Sequence, residues 1–392
     1  MRALVTVFLK EILENARDRR TLLSALIVGP IGAPLLFAFL INTMVERNLD
    51  NAERPLKLTV AGRGNAPNLV AFLEGHNVVI KDFTGDGGAA TRAVRTHEER
   101  LVLEIPADFG AHLGRGVPAP VRLYTDYSDT SAAAERGRAE ALLAHYSTRI
   151  AQWRLEARGV APSLVHAIAV DEIDVATPAG RAATLLGMLS YFFVFATLMG
   201  GIYVAIDATA GERERSSLEP LLTLPVERRV LVVGKILAAG AWMVVSLTLT
   251  VVAFAISMRF VRLDALGMSN AFGPRTALAI VLLMLPFVVL GAALMTLVAS
   301  FTRSYREAQS WLTFVVLLPT LPIMYAAISQ LPSRPALMWV PSLSQHLLIT
   351  SLLRAEPLAG ADVAVSAGAT LAVGAVLAAI AVRLYRREQI LG

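Results

Sequence analysis

The chain has 392 residues, no cysteine, and 36 Lys+Arg against 31 Asp+Glu, for a formal net charge of +5. With 55% hydrophobic and 17% charged residues, it is more apolar and less charged than a soluble domain, which is about 45–50% apolar and roughly 25% charged. A disordered protein, a disulfide scaffold and a thiol-ligated metal site are thereby excluded.

Residues 1–20 predict an amphipathic helix. Val5, Phe8, Leu9, Ile12, Leu13 and Ala16 share one face, and Lys10, Glu11, Glu14, Arg17 and Asp18 the other. Such a helix lies in the headgroup layer with its charges in water. Residues 21–45 follow without a single Asp, Glu, Lys or Arg. A bilayer-crossing helix needs ~20 predominantly apolar residues, so this is the first transmembrane helix. It ends without a small-residue cleavage site, which makes it a retained anchor rather than a signal peptide.

Residues 46–181 carry 16 basic and 18 acidic residues spread throughout, the signature of a separate folded domain. Strand-like runs fall at 57–61, 77–82, 101–106, 121–126 and 168–175, with shorter helical segments near 66–75, 86–96 and 107–114. Alternation of this kind predicts an α/β module. A long helix from about Ser131 to Ala157 follows, with Leu142, Tyr146, Ile150 and Trp153 as its buried stripe. Five histidines lie in this insert, and no two stand at a metal-ligand spacing. Asp126 and Asp129 read equally as paired carboxylates and as a strand end followed by a helix cap.

Five further charge-free blocks occupy 182–206, 236–258, 276–302, 308–333 and 363–382. Each must be helical, because lipid offers no partner for an unpaired backbone group. Residues 335–353 are also uncharged but contain Pro335, Pro341 and His346, which suits a re-entrant or interfacial segment. Pro30 and Pro34, Pro286, and Pro319 with Pro322 mark bends in the first, fourth and fifth spans. The short loops and termini on one side hold 15 Lys/Arg and those on the other 5. Cytoplasmic loops are enriched in basic residues, so both termini are expected inside and the insert outside.

The loop between the second and third spans, 207–235, reads DATAGERERSSLEPLLTLPVERRVLVVGK. Glu212-Arg213-Glu214-Arg215 belongs in water on composition alone. Ser216 with Glu219 matches a capping box, and Pro225 favours a new helix start. A positive-inside anchor explains the arginines. It does not explain the acidic residues between them, nor Leu218, Leu221 and Leu222, which suit a docking knob for a partner in the cytoplasm. No G-x-x-x-x-G-K-[ST] phosphate loop occurs in the chain, so nucleotide-driven work must come from another polypeptide.

The run GERERSSLEPLLTLPVERRVLVVGK resembles the coupling segment of ABC type-2 export permeases, whose pattern is G-E-R-E-x-G/S-T/S-L-E-x-L-L-x-x-P, then a basic residue and G-K. Ser216-Ser217 stands where many members have Gly-Thr. KEILENARDRR at 10–20, SYREAQS at 304–310 and WVPSLSQHLLITSLL at 339–353 are similar to three further family stretches, and the whole is most like the sodium-efflux (Nat-type) subgroup. The resemblance implies a mainly α fold, a six-helix transmembrane permease with an inserted extracytoplasmic α/β domain. It further implies a dimer of permeases, homomeric or heteromeric, in a bacterial-type inner membrane, with a separate ATP-binding subunit holding ATP and Mg. The chain itself would bind no cofactor or metal and hold no catalytic residue. Glu212, Arg213, Glu214, Arg215, Leu218, Glu219, Leu222 and Pro225 would transmit force from that subunit.

The spans contain no ionisable residue, although a cation pathway usually shows one. Sodium would then pass along hydroxyls and carbonyls such as Ser190, Tyr191, Thr197, Thr296, Thr313 and Thr320. A hydrophobic or amphiphilic export substrate suits the same walls. A secondary transporter and a membrane-anchored sensor are the alternatives, but paired half-repeats are lacking and six spans exceed what a sensor needs.

Overall fold

The computed structural model describes residues 2–17, 26–27, 29–129, 132–165, 173–223, 225–269, 272–329 and 331–385, with the side chains of 47–53, 164–165, 183–184, 218–219, 222 and 265–266 outside the description. The chain divides into a helical unit, Met1–Val45 with Val175–Gly392, and an α/β unit, Glu46–Asp174.

Among the described residues, the helical unit holds six helices long and apolar enough to cross a membrane. They are α2 (Gly29–Glu53), α8 (Leu189–Ile206, continued to Glu214), α11 (Arg228–Ser257), α12 (Pro274–Phe301), the pair α13 (Tyr305–Leu317) and α14 (Thr320–Ser329), and α16 (Gly360–Leu384). Before them lies α1 (Arg2–Arg17). The α/β unit, described below, holds α3 to α6, and α7 (Pro178–Leu186) leads into α8.

Helix α8 is central and buried along most of its length. Its contact with α11 depends on small residues. A Cβ on Gly200 would sit 2.3 Å from Ser246 Cβ, and one on Gly201 2.3 Å from Met243 Cε. On the far side Gly374 of α16 lies against the backbone of Leu290 in α12, 3.0 Å from its Cα to an added Cβ. Lipid supplies no hydrophobic drive between helices, so such close approach is what holds spans together. Phe193, Phe254 and Phe287 fill the centre, with Phe37 edge-on to Phe254 at 5.8 Å.

The prolines act differently along the chain. Pro34 and Pro286 are carried inside continuous helices. Pro319 falls in the break between α13 and α14, where the Thr320 hydroxyl donates to Leu317 O at 2.6 Å. After the fifth span comes α15 (Leu343–Leu353), a short apolar helix buried over most of its length. Gln345 there donates through Nε2 to Thr370 Oγ1 at 2.9 Å and accepts the Ser342 N–H at 2.7 Å.

The apolar face of α1 is divided between protein and the outside. Val5, Leu9 and Leu13 are exposed, whereas Glu11 and Asn15 are buried. Phe8 and Ile12 pack on the bundle core. On the charged face Glu11 is turned against protein, while Lys10, Glu14 and Arg17 stay exposed.

In the α/β unit, β1 (Leu56–Ala61), β2 (Val78–Phe83), β3 (Leu101–Glu104) and β4 (Arg122–Thr125) form a sheet of order β2-β1-β3-β4. The first three are parallel, and β4 pairs antiparallel to β3. Helices α3 (Pro67–Glu74), α4 (Gly87–Arg95) and α5 (Phe109–Gly114) connect them, and α6 (Ala133–Glu156) follows. Residues 173–175 of the expected fifth strand are irregular, and 168–172 lie outside the described residues. Gly62 is required after β1, since its φ is +75° and a Cβ would meet Ile105 O at 2.2 Å. Asp126 folds a local turn, accepting the Ser128 N–H at 2.8 Å. The stripe on α6 also stops short: Leu142 and Tyr146 join the core, but Trp153 is 52% exposed and lies under the Arg149 guanidinium.

Candidate coupling site

The charged segment after α8 is helical rather than a free loop. A π-helical turn, Asp207–Gly211, continues α8 into the short turn α9 (Glu212–Glu214). π turns are uncommon and recur at functional positions. The third span likewise begins at Arg228, so the stretch outside regular helix is shorter than 207–235. Charges alone marked the boundary in sequence, and here charged residues lie inside the helix ends.

Each member of Glu212-Arg213-Glu214-Arg215 bonds within the chain, and to a different element. Glu212 is 4% exposed and ion-paired to Lys235 of α11, itself 1% exposed. Lys235 also donates to Ala208 O, a carbonyl of the π turn. The second carboxylate oxygen of Glu212 takes Lys10 of α1 at 2.9 Å. Lys10 in turn bridges Glu11 at 3.1 Å and Glu14 at 3.0 Å. Burial opposes the Lys10 ammonium, but Glu212 and Glu11 outweigh it and hold its pKa above the ordinary lysine value. Burial pushes the Glu11 carboxyl above its ordinary value, against the pull of Lys235.

Arg213 turns the other way. Its guanidinium donates to Thr302 O at 2.7 Å and Ser300 O at 3.1 Å, capping the C-terminal end of α12. Cations suit a helix C-terminus because of its unpaired carbonyls and dipole. Glu214 accepts the Tyr305 N–H at 2.7 Å, placing a carboxylate at the N-terminus of α13, where the dipole favours it. That helix is capped by Ser304, whose Oγ accepts the Glu307 N–H at 3.3 Å. Arg215 closes back on Asp207 at 2.8 Å. Arg228, further on, donates to Tyr385 O at 3.1 Å and so caps α16.

One segment therefore ties together α1 and the ends of the second to fifth spans. Gly234 completes it, since a Cβ there would lie 2.7 Å from Val7 Cγ1, so only glycine admits α1 against α11. The Gly-Lys pair at 234–235 thus has two roles: room for α1, and the charge that meets Glu212.

Beyond Arg215 the chain reverses at Ser216, whose φ of 55° is left-handed. The helix that follows begins at Leu218, and Glu219, the other half of the expected capping box, has its side chain outside the described residues. The next hydroxyl, on Ser217, donates back to Glu212 O at 3.1 Å. Helix α10 (Leu218–Thr223) follows. It carries Leu218, Glu219 and Leu222, whose side chains lie outside the described residues. Pro225 is exposed in the bend before α11.

Three of the hydroxyls named as a pathway bond locally. Thr197, Thr313 and Thr320 donate to carbonyls three or four residues back in their own segments. Thr296 is fully buried and Tyr191 stacks on Phe195 with centroids 6.2 Å apart. Ser190 alone of the six, among the described residues, reaches another segment: its Oγ lies 2.6 Å from His346 Nδ1 in α15. That pairing was not legible in sequence.

Known proteins are similar to this chain in sequence. The family described as "ABC-2 family transporter protein" matches residues 20–383. The chain is also similar to the ABC transporter permease protein NatB of Bacillus subtilis (strain 168), with 26% identity over 358 residues, covering 88% of this chain and 89% of that protein.

Proposed function

Because the chain belongs to the ABC-2 transporter family, a family of multi-pass permeases, we propose that it is the membrane subunit of an ATP-driven exporter whose ATP is hydrolysed by a separate subunit. The observation that carries this reading is the hub around Glu212. A segment bonded to α1, α11, α12 and α13 can pass a push at one loop to every helix it touches.

In this reading Leu218, Glu219 and Leu222 on α10 dock into the ATP-binding subunit, and Pro225 ends the docking turn. Glu212, Arg213, Glu214 and Arg215 carry the force inward. ATP and Mg belong to the partner, and this chain performs no catalysis. Both termini and the 207–235 segment face the cytoplasm, the α/β unit faces outward, and the membrane is a bacterial-type inner membrane. Two permeases, identical or related, form the pathway.

A hydrophobic or amphiphilic substrate is supported by the fifth span, whose exposed side carries Trp311, Phe314, Leu321 and Tyr325. Sodium is the second reading, supported by the resemblance to the sodium-efflux subgroup. Hydroxyls such as Ser190, Tyr191, Thr197, Thr296, Thr313 and Thr320 are then its partners in the pathway.

The test is reconstitution with a candidate ATP-binding subunit. Leu218→Ala with Leu222→Ala should abolish substrate-stimulated ATP hydrolysis while the protein stays inserted, at a cost of ~1.5–3 kcal/mol for each leucine buried in the partner. Normal stimulation would remove the docking assignment, and full transport activity as an isolated chain would favour a secondary transporter. Sodium efflux from loaded vesicles, run beside an amphiphilic dye, separates the two substrate classes.

A further inference from the structure

The α/β unit contains a half-open cleft of about 330 Å³ that the transport reading does not use. Phe109 and Leu113 of α5, Val117 and Val121 of the loop behind it, and Ile150 and Arg154 of α6 line its sides. Leu143 and Tyr146 close its base and belong to the core below. The cleft exists because the α6 stripe outlasts the sheet it packs on. One turn beyond Tyr146, Ile150 and Ala151 continue the apolar face with only this cleft before them.

Arg154 is the one charged residue lining the cleft. Its guanidinium donates to Leu113 O at 2.7 Å and Gly116 O at 3.4 Å, which holds it at the rim. Two of its five N–H groups are so used. Arg158 stands beside it, its Nη2 lying 3.6 Å from where a Cβ on Gly116 would be. An apolar slot with a guanidinium at its rim and no carboxylate in its lining matches one ligand chemistry: an alkyl chain ending in an anion.

We infer that this cleft binds a medium-chain amphiphilic anion, with its tail along Phe109, Leu113 and Ile150 and its head on Arg154. The inference concerns the α/β unit alone and stands or falls independently of the export reading.

The full-length chain, held in phosphatidylcholine nanodiscs, is photolabelled with an alkyl carboxylate bearing a diazirine at its tail, and the adducts are mapped by mass spectrometry. Labelling should concentrate on residues 109–121 and 143–154. Competition by unlabelled alkyl carboxylates should strengthen roughly fourfold per methylene and then level off once the cleft is full. Partition into lipid would instead keep rising with length. Arg154→Gln should weaken the carboxylate about tenfold, the scale of a charge-assisted hydrogen bond, and leave the matching alkanol unchanged. Ala151→Trp should block labelling, and Ser147→Phe at the rim supplies the same block should the first variant not give monodisperse protein. Adducts spread over the spans, no levelling with chain length, or labelling undiminished in both blocking variants would overturn the site.

Discussion

Gly234 and Val7 meet where no larger residue fits: a Cβ on Gly234 would lie 2.7 Å from Val7 Cγ1 and 3.0 Å from Val7 Cβ. Neither atom is the end of a long flexible chain, so a side chain at 234 must move α1. Gly234→Leu should therefore lift α1 from α11 at a cost of about 1–3 kcal/mol, the usual scale of overpacking. Limited trypsinolysis should then cut at Lys10 and Arg17 faster than in the wild type, with the spans still inserted. Unchanged protection of Lys10 would show that α1 is held by something other than this contact.

The pair of Glu212 and Lys235 is buried at both ends. Lys235→Met leaves a buried carboxylate with only the half-exposed Lys10, and removing one partner of such a pair costs about 3–5 kcal/mol. The lower end of that range is expected here, since Lys10 remains. Glu212→Leu combined with Lys235→Met should recover much of the lost thermal stability, because apolar replacements of buried pairs are often neutral. It should not recover stimulated ATP hydrolysis. A double variant as unstable as Lys235→Met would mean that packing, not charge, dominates the site.

Ser216 occupies a left-handed conformation that costs an L-residue roughly 1–2 kcal/mol and costs glycine almost nothing beyond its greater chain entropy. Ser216→Gly is expected to raise stability by roughly 0.5–1 kcal/mol, and Ser216→Val to lower it. The melting temperatures of the two variants should bracket that of the wild type. The conformation also gives a physical reason for the glycine that many family members place there.

Burial raises the Glu11 carboxyl, so folding favours its protonated form. A carboxyl with a raised folded-state pKa stabilises below its ordinary value, and that contribution is lost as pH rises through the folded value. Glu11→Gln should accordingly gain stability over the wild type at about pH 8 and lose that advantage by about pH 4. The melting temperature against pH, compared for the two proteins, checks the sign. An advantage that grows towards acid would contradict it.

The six spans were legible because lipid enforces one rule, the exclusion of charge, that a single sequence displays directly. The four strands and the helices between them were legible for a similar reason, since alternation and turn residues are local. The burial of Glu11 was not. Periodicity puts it on the charged side of α1, but does not reveal that protein covers it while Lys10 and Glu14 stay exposed. Nor did composition reveal that Glu212 is buried, because its counter-charge stands 23 residues later and the other 202 residues earlier. Trp153 misled for the opposite reason: large and apolar, it is covered by an arginine of its own helix.

The π turn at Asp207–Gly211 sets a phase as well as a bend. A helix advances about 100° per residue, so one residue more or less between the second span and Glu212 would turn that carboxylate away from Lys235 and carry Arg213 off the carbonyls of Thr302 and Ser300. Surface connections ordinarily absorb insertions and deletions. This one behaves as a gear tooth, in which the count of residues matters as much as their identity. The span and the loop can then turn only together.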